Sequence, residues 1–308
     1  MIRMPGKSFS EKLAPLDARE RAIRASLERH VRVIGEEIGE RHLLGRKDQL
    51  DRTADYIEAE LRKADYDVES HWYEVSGDRV RNLDVLLRGR SRPEQYVVVG
   101  AHYDSAEDSP GANDNGSAVA AVLELARIMR NDEPARSVRF VAFVNEEPPW
   151  FQTDDMGSLR YARACRERGD DITAMLSIET IGYYSDEPGS QQYPPPLSLA
   201  YPERGDFIGF VGNVGSNGLV RRCVELFRER CEFPSEGAAL PSFLPGIGWS
   251  DHWAFWQVGY RGVMVTDTAL FRYPHYHTPQ KKKKKIDFDR TARVVSGLLD
   301  VVRALADE

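Results

Sequence analysis

The sequence predicts an α/β protein built as a three-layer α/β/α sandwich around a central mixed, mostly parallel sheet. Three observations predict it. Short apolar runs that read as buried strands alternate with helical segments along most of the chain. The strand, helix, strand order over 95–144 implies a parallel pair. Several of these strands also end abruptly in polar clusters, as they do where an α/β sheet presents a site at its carboxyl edge.

From Pro15 to about Lys63 apolar residues recur at spacings of three or four, first Ile23, Leu27, Val31 and Ile34, then Leu50, Ala54, Ile57 and Leu61, which predicts two opening helices. Segments 67–75 and 82–87 alternate as strands, and Gln95 to Gly100 is a short apolar run. Gly116 to Met129 is Ala-rich and helical, and Val138 to Val144 is a buried strand stopped by Asn145, Glu146 and Glu147. A helix near 157–168, strands near 174–179 and 207–211, a helix over 217–230 and a strand over 262–266 follow. Ile286 to Ala306 closes the chain as an amphipathic helix. Tyr184 to Gly205, rich in Pro, Gly, Ser and Tyr, reads as an irregular excursion because strands resume directly after it. No internal repeat is present, so residues 1–308 are read as one domain, with 1–65 as an N-terminal helical extension packed on it.

Composition narrows the function classes. Hydrophobic residues make up 41% of the 308 and charged residues 30%, enough apolar material for a substantial core. Three cysteines, Cys165, Cys223 and Cys231, leave at least one thiol unpaired and point to a reducing compartment. No signal-like or membrane-spanning apolar stretch is found, so a cytoplasmic protein without a membrane partner is expected. The net charge of −7 argues against nucleic acid as a partner. The run Lys281 to Lys285 reads as a solvated loop, with a docking patch for acidic partners as the alternative. Oligomeric state leaves no mark on the sequence.

The chemistry sits at strand ends. His102 and Asp104 lie two apart in GAHYDS, so an extended segment turns both to one side. Asp114 follows in GANDNGSA, where Gly111 and Gly116 let backbone come close to a ligand, and its carboxylate is able to bridge two ions. Glu146 and Glu147 end a hydrophobic strand, a costly place for adjacent like charges unless a cation compensates them. One then coordinates while the other takes a proton. Glu179 ends the next strand, and His277 lies in RYPHYHTP with His275 as a rival two residues away. Taken singly, each of these residues is more often structural than catalytic. Together, His and carboxylate side chains following separate strands form a donor set suited to zinc, and manganese or cobalt would suit the same set.

These residues carry a family resemblance. The segments VVVGAHYDS, GANDNGSAVAAVLELAR, FVAFVNEE, SDHWAFWQVGYRGVMVTDT and PHYHTP resemble the co-catalytic zinc aminopeptidases of metallopeptidase clan MH, relatives of leucyl aminopeptidases and glutaminyl cyclases. The resemblance runs from about Asn82 to the C-terminus and implies the zinc exopeptidase fold. It implies two zinc ions, one held by His102 and Glu179, the other by Glu147 and His277, with Asp114 bridging and Glu146 as general base. Asp104 would orient His102, a cis peptide would follow Asp114, and Tyr273 or Tyr276 is a candidate for holding the oxyanion or substrate. The implied reaction removes N-terminal residues from peptides with a free N-terminus, by a hydroxide bound between the two Lewis-acidic ions.

Alternatives implied by the same family are a glutaminyl-peptide cyclotransferase with a single zinc and a non-enzymatic binding relative. Ser250, Asp251 and His252 match a family motif and are read as supporting the site. This chain departs from the family pattern at three places. Glu179 stands where aspartate is common, PPWFQTDDM intervenes before Gly157 and is expected to shape the substrate pocket, and Lys281 and Lys282 stand where an Asp-Thr pair is usual.

Overall fold

The computed structural model describes residues 3–195, 197–274, 276–278 and 286–308; His275 and the lysine run 281–285 lie outside them. Helix α1 (Ala18–Val31) starts at a capping box in which Asp17 accepts from Glu20 N and Glu20 accepts from Asp17 N. It buries Ile23, Leu27 and Val31 and runs on into a π-helical turn (Arg32–Ile38) that stops at Gly39, whose φ of 78° only glycine adopts freely. Helix α2 (Lys47–Lys63) buries the predicted stripe of Leu50, Ala54, Ile57 and Leu61.

The strands are β1 (Glu69–Val75), β2 (Asp78–Leu87), β3 (Arg92–His102), β4 (Arg136–Phe143), β5 (Asp171–Glu179), β6 (Ile208–Asn213), β7 (Ser235–Leu240) and β8 (Gly262–Thr266). They form one sheet in the order β1-β2-β4-β3-β5-β8-β6-β7. Strand β3 pairs parallel with β4 and β5, β5 parallel with β8, and β6 parallel with β7; the β1-β2, β2-β4 and β6-β8 pairs are antiparallel. The sheet is therefore mixed, and its adjacent strands β4, β3, β5 and β8 all point their carboxyl ends at one edge.

Helices α3 (Gly116–Met129), α4 (Gly157–Arg168), α5 (Asn217–Arg230), α6 (His252–Gln257) and α7 (Phe288–Asp307) complete the layers. Side-chain alternation decides which layer each residue joins. Val97 and Val99 of β3 pack in the cluster that holds α1, α2, α3, α5 and α7, whereas Tyr96 and Val98 face Leu159 of α4 and Phe255 of α6. Each large apolar side chain buried this way contributes about 1.5–3 kcal/mol. Helix α3 is buried almost all round because α1 and α7 cover its outer side.

Three differences from the sequence reading have local causes. Strand β3 begins at Arg92 and ends at His102, because its polar start still pairs with β4 at Arg136. Strand β7 (SEGAAL) was not anticipated, since small residues give no apolar alternation and its pairing with β6 is what makes it a strand. Helix α6 is six residues long, too short for a helical period to register. No helix among the described residues is long and apolar enough to cross a membrane.

Candidate metal centre

The common strand edge gathers the side chains singled out above. His102 is the last residue of β3 and Glu179 the last of β5, Glu146 and Glu147 follow β4, Asp114 precedes α3, and His277 lies in the loop beyond β8. Asp114 joins two halves: its Oδ1 lies 3.4 Å from His102 Nε2 and its Oδ2 lies 3.0 Å from His277 Nε2. In the first half Glu179 Oε2 is 3.2 Å from His102 Nε2; in the second Glu147 Oε2 is 3.2 Å from His277 Nε2. Glu146 Oε2 stands 3.7 Å from His102 Nε2, on the side of the first half.

The donor atoms are buried and incompletely paired. His102 is 1% exposed, and among the described residues neither of its ring nitrogens has a hydrogen-bond partner, nor do the buried oxygens Asp114 Oδ1 and Glu147 Oε1. Such orphans are costly. Converging imidazole nitrogens and carboxylate oxygens fit a borderline cation such as zinc, which takes both kinds of donor. The local field agrees. Burial opposes charge on His102, yet Glu179, Glu146, Asp104 and Asp114 hold its pKa well above the imidazole range. Against the same burial, Asp114 and Glu147 push His277 up to about 10. Burial lifts Glu146 well above the carboxylate range, with Glu179 and Glu147 adding to it against His102, and lifts Glu179 to about 7. The pocket favours added positive charge.

A second set of residues holds these in place. The Asp104 carboxylate accepts from the backbone N–H groups of Glu146 (3.1 Å) and Glu147 (3.0 Å), and stands 3.5 Å from His102 Nδ1. It therefore fixes the acidic pair at least as directly as the imidazole. Ser177 hydroxyl donates to Ser250, which donates to Glu179 Oε2, each at 2.8 Å. Asn115 Oδ1 accepts from Thr180 N at 3.0 Å, and the Asp114–Asn115 peptide is cis, as the resemblance implied. Asn145, Thr180 and His277 all have φ between 39° and 58°, a region that L residues with side chains occupy only where their surroundings enforce it.

The sequence reading missed Asp267. Its buried carboxylate accepts from Thr180 Oγ1, Ala269 N, Asn113 Nδ2 and Tyr183 N, tying the ends of β5 and β8 to the loop before Asp114. An acid just past a buried strand was the available signal.

The two candidate tyrosines separate. Tyr276 stacks on the His277 ring with centroids 3.9 Å apart, and its side chain lines a hollow beside Glu179. Tyr273 is buried, with its ring tilted against Tyr183 at 5.0 Å. The hollow, open to solvent, has a floor of alternate residues from three strands: Glu236, Ala238 and Leu240 of β7, Gly209 and Val211 of β6, and Met264 and Thr266 of β8. Its walls include Tyr193, Leu197, Ile247, Trp249 and Phe271. The excursion 184–205 thus supplies part of the pocket. The insertion 148–156 does not line it, contrary to expectation, and its Gln152 Nε2 reaches only the carbonyl of Gly248 in the wall behind. Glu69, His71 and Asp84 on the β1-β2 ribbon form another group with metal-ligand chemistry. There Asp84 Oδ2 already accepts from Arg139 and from the Tyr161 hydroxyl, so a cation is in place.

The sequence pattern of peptidase family M28 matches residues 82–302, more than half of the chain. Protein YfbL of Escherichia coli K12 is 36% identical over 264 residues, which cover 83% of this chain and 80% of YfbL. A probable zinc metalloprotease of Pyrenophora teres f. teres is 26% identical over 250 residues, 70% of this chain but only 49% of that longer protein. The fold is shared with BSAP, a zinc aminopeptidase from Bacillus subtilis, at a TM-score of 0.73 and 16% identity over 96% of this chain and 97% of that one. It is shared too with the glutaminyl cyclase of Porphyromonas gingivalis, at a TM-score of 0.67 and 17% identity over 93% and 98% of the two chains.

Proposed function

The chain belongs to peptidase family M28, and from that premise we propose that it is a zinc aminopeptidase that removes apolar N-terminal residues from peptides. One observation carries the reading: the two oxygens of Asp114 face two separate His-carboxylate pairs, His102 with Glu179 and His277 with Glu147. These five side chains would hold two ions, with Asp114 shared. Bound zinc would supply Lewis acidity, polarising the scissile carbonyl and lowering the pKa of water.

The chain's own residues do the rest. Glu146, buried beside the first pair and not needed in either, takes the proton of the attacking water on its carboxylate and returns it to the leaving amine. Burial raises the proton affinity of that carboxylate, the direction a proton acceptor requires. Asp104 holds the backbone of Glu146 and Glu147, so base and ligand cannot move independently. The acidic cluster attracts the protonated α-amino group of a peptide, and the apolar hollow beside Glu179 receives the first side chain. Tyr276, at the junction of hollow and His277, is placed to contact the substrate backbone.

The test is zinc per chain by elemental analysis, after purification without chelators and dialysis against trace zinc, for the parent and Glu179→Ala. It is run beside assays for leucine release from leucyl amides and for pyroglutamate formation from glutaminyl peptides. Near two zinc ions, falling on mutation, together with leucine release support the reading. Near one ion with pyroglutamate formation overturns it in favour of the cyclotransferase, and no zinc with neither activity overturns it in favour of a binding relative.

A further inference from the structure

Arg41 lies in the N-terminal helical segment, outside the stretch that matches the family pattern, and it is 0% exposed. Four of its five N–H groups end on backbone carbonyls: Nε on Tyr103 at 2.6 Å, Nη1 on Gly39 at 2.9 Å and Pro110 at 2.8 Å, and Nη2 on Gly111 at 2.8 Å. Its backbone is bound to the same loop, because Arg41 N donates to Ser105 Oγ at 3.0 Å and Ser105 N donates to Arg41 O at 2.8 Å. Neighbouring residues repeat the attachment. The Glu40 carboxylate accepts from Asp108 N at 2.7 Å, and Gly35 packs so closely on Ala112 that a Cβ would sit 2.7 Å from the alanine Cβ. Tyr103 immediately precedes Asp104, and Gly111 lies three residues before Asp114, so the guanidinium spans both ends of the loop between two site carboxylates.

Among the described residues, no carboxylate pairs directly with this cation. Burial draws its pKa down to about 10, so it remains charged at neutral pH, and the acidic charges that act on it against burial are Asp104, Asp114 and Glu147. A buried guanidinium bound only to carbonyls leaves its charge to be balanced by that cluster. The fork geometry also fixes where the carbonyls sit, which a point charge on a flexible stem would not do.

We propose that Arg41 is the positioning residue of the metal centre: by clamping the loop 103–111 at both ends, it presents Asp104 and Asp114 to the ions, and it makes the N-terminal segment part of the site. This rests on the metal-centre reading above. Arg41 touches neither substrate nor ion and acts through the loop, as outer partners of metal ligands do when they tune affinity.

The test uses the full chain with Arg41→Met and Arg41→Lys, checked for folding by circular dichroism and gel filtration. Zinc affinity is measured by chelator competition, and the absorption spectrum of the cobalt-substituted protein reports ligand geometry. The expected result is a parent that binds zinc tightly, a loss of about 10–100-fold in affinity in Arg41→Met with an altered cobalt spectrum, and an intermediate loss in Arg41→Lys, which keeps the charge without the fork. If Arg41→Met folds and binds both ions with parental affinity and spectrum, the proposal is overturned. If Arg41→Met does not fold, Arg41→Lys decides by the same two readings. A parent that binds no zinc would instead remove the metal-centre reading itself, so the two failures are distinct.

Discussion

Asp114 and His277 are 163 positions apart in the chain, yet Oδ2 of the one lies 3.0 Å from Nε2 of the other. The contact closes the second half of the site, which Glu147 shares at 3.2 Å from the same nitrogen. His277 is also the most accessible of the proposed ligands, with 31% of its side chain exposed, so its removal perturbs the core least. His277→Ala should lower bound zinc from about two ions per chain to about one and reduce kcat/KM by at least about a hundredfold, the scale seen when one electrostatic element of a site is removed. Elemental analysis and initial rates on a leucyl amide check both numbers together.

Glu146 and Glu147 are adjacent, buried and held by the same Asp104 carboxylate, yet only Glu147 approaches His277. Glu146→Gln keeps shape and removes proton affinity. It should leave zinc content and KM close to the parent and lower kcat by about 10²–10⁴-fold, the usual share of a general base. Glu147→Gln should instead lower zinc content. A variant pair that behaved the other way round would exchange the two roles.

The strand alternation that puts Ala238 on the floor of the hollow, between Glu236 and Leu240, gives a specificity test. Ala238→Phe places a ring where a leucine side chain would enter. The ratio of kcat/KM for leucyl over alanyl amides should fall by about 10–200-fold per methylene excluded. A ratio unchanged from the parent would move the site of the first residue elsewhere.

The parts of this architecture visible in the sequence are those whose function depends on side-chain period or residue type. Helix α3 spans Gly116–Met129, as its Ala-rich pattern predicted, because it is buried against the sheet along its whole length. His102, Glu147 and Glu179 stood out because each ends or closely follows an apolar strand with a polar group, and Asp114 and His277 by the loop motifs GANDNGSA and RYPHYHTP. Arg41 left no such trace, and Asp267 left only its place just past the apolar strand β8. Arg41 acts on backbone carbonyls and Asp267 on two backbone N–H groups and two side chains, and most of those backbone partners lie in irregular loops whose course no period encodes. Tyr273 and Tyr276 could not be separated by sequence either, since only the turn between them sets one ring on Tyr183 and the other on His277.

His30 makes a stability prediction independent of the metal centre. It is 2% exposed on α1, and its Nε2 lies 3.1 Å from Arg29 Nη2 while its Nδ1 lies 2.7 Å from the Tyr56 hydroxyl. Arginine can only donate, so Nε2 must accept and the ring is neutral with its proton on Nδ1. Burial, reinforced by Arg29 and opposed by Glu60, draws its pKa down to about 4. Between that value and the unfolded value near 6.5 the unfolded chain binds more protons, so stability is greatest above about pH 6.5 and falls as the pH drops towards 4. At about 1.4 kcal/mol per pH unit, the window is worth about 3 kcal/mol. His252, also drawn down to about 4 by burial, contributes with the same sign. Urea unfolding of chelator-treated parent and His30→Gln between pH 4 and 7.5 isolates the term, because the glutamine amide still offers an acceptor and donor but does not titrate. The parent should lose more stability than the variant across that range, and equal losses would place the acid sensitivity in other groups.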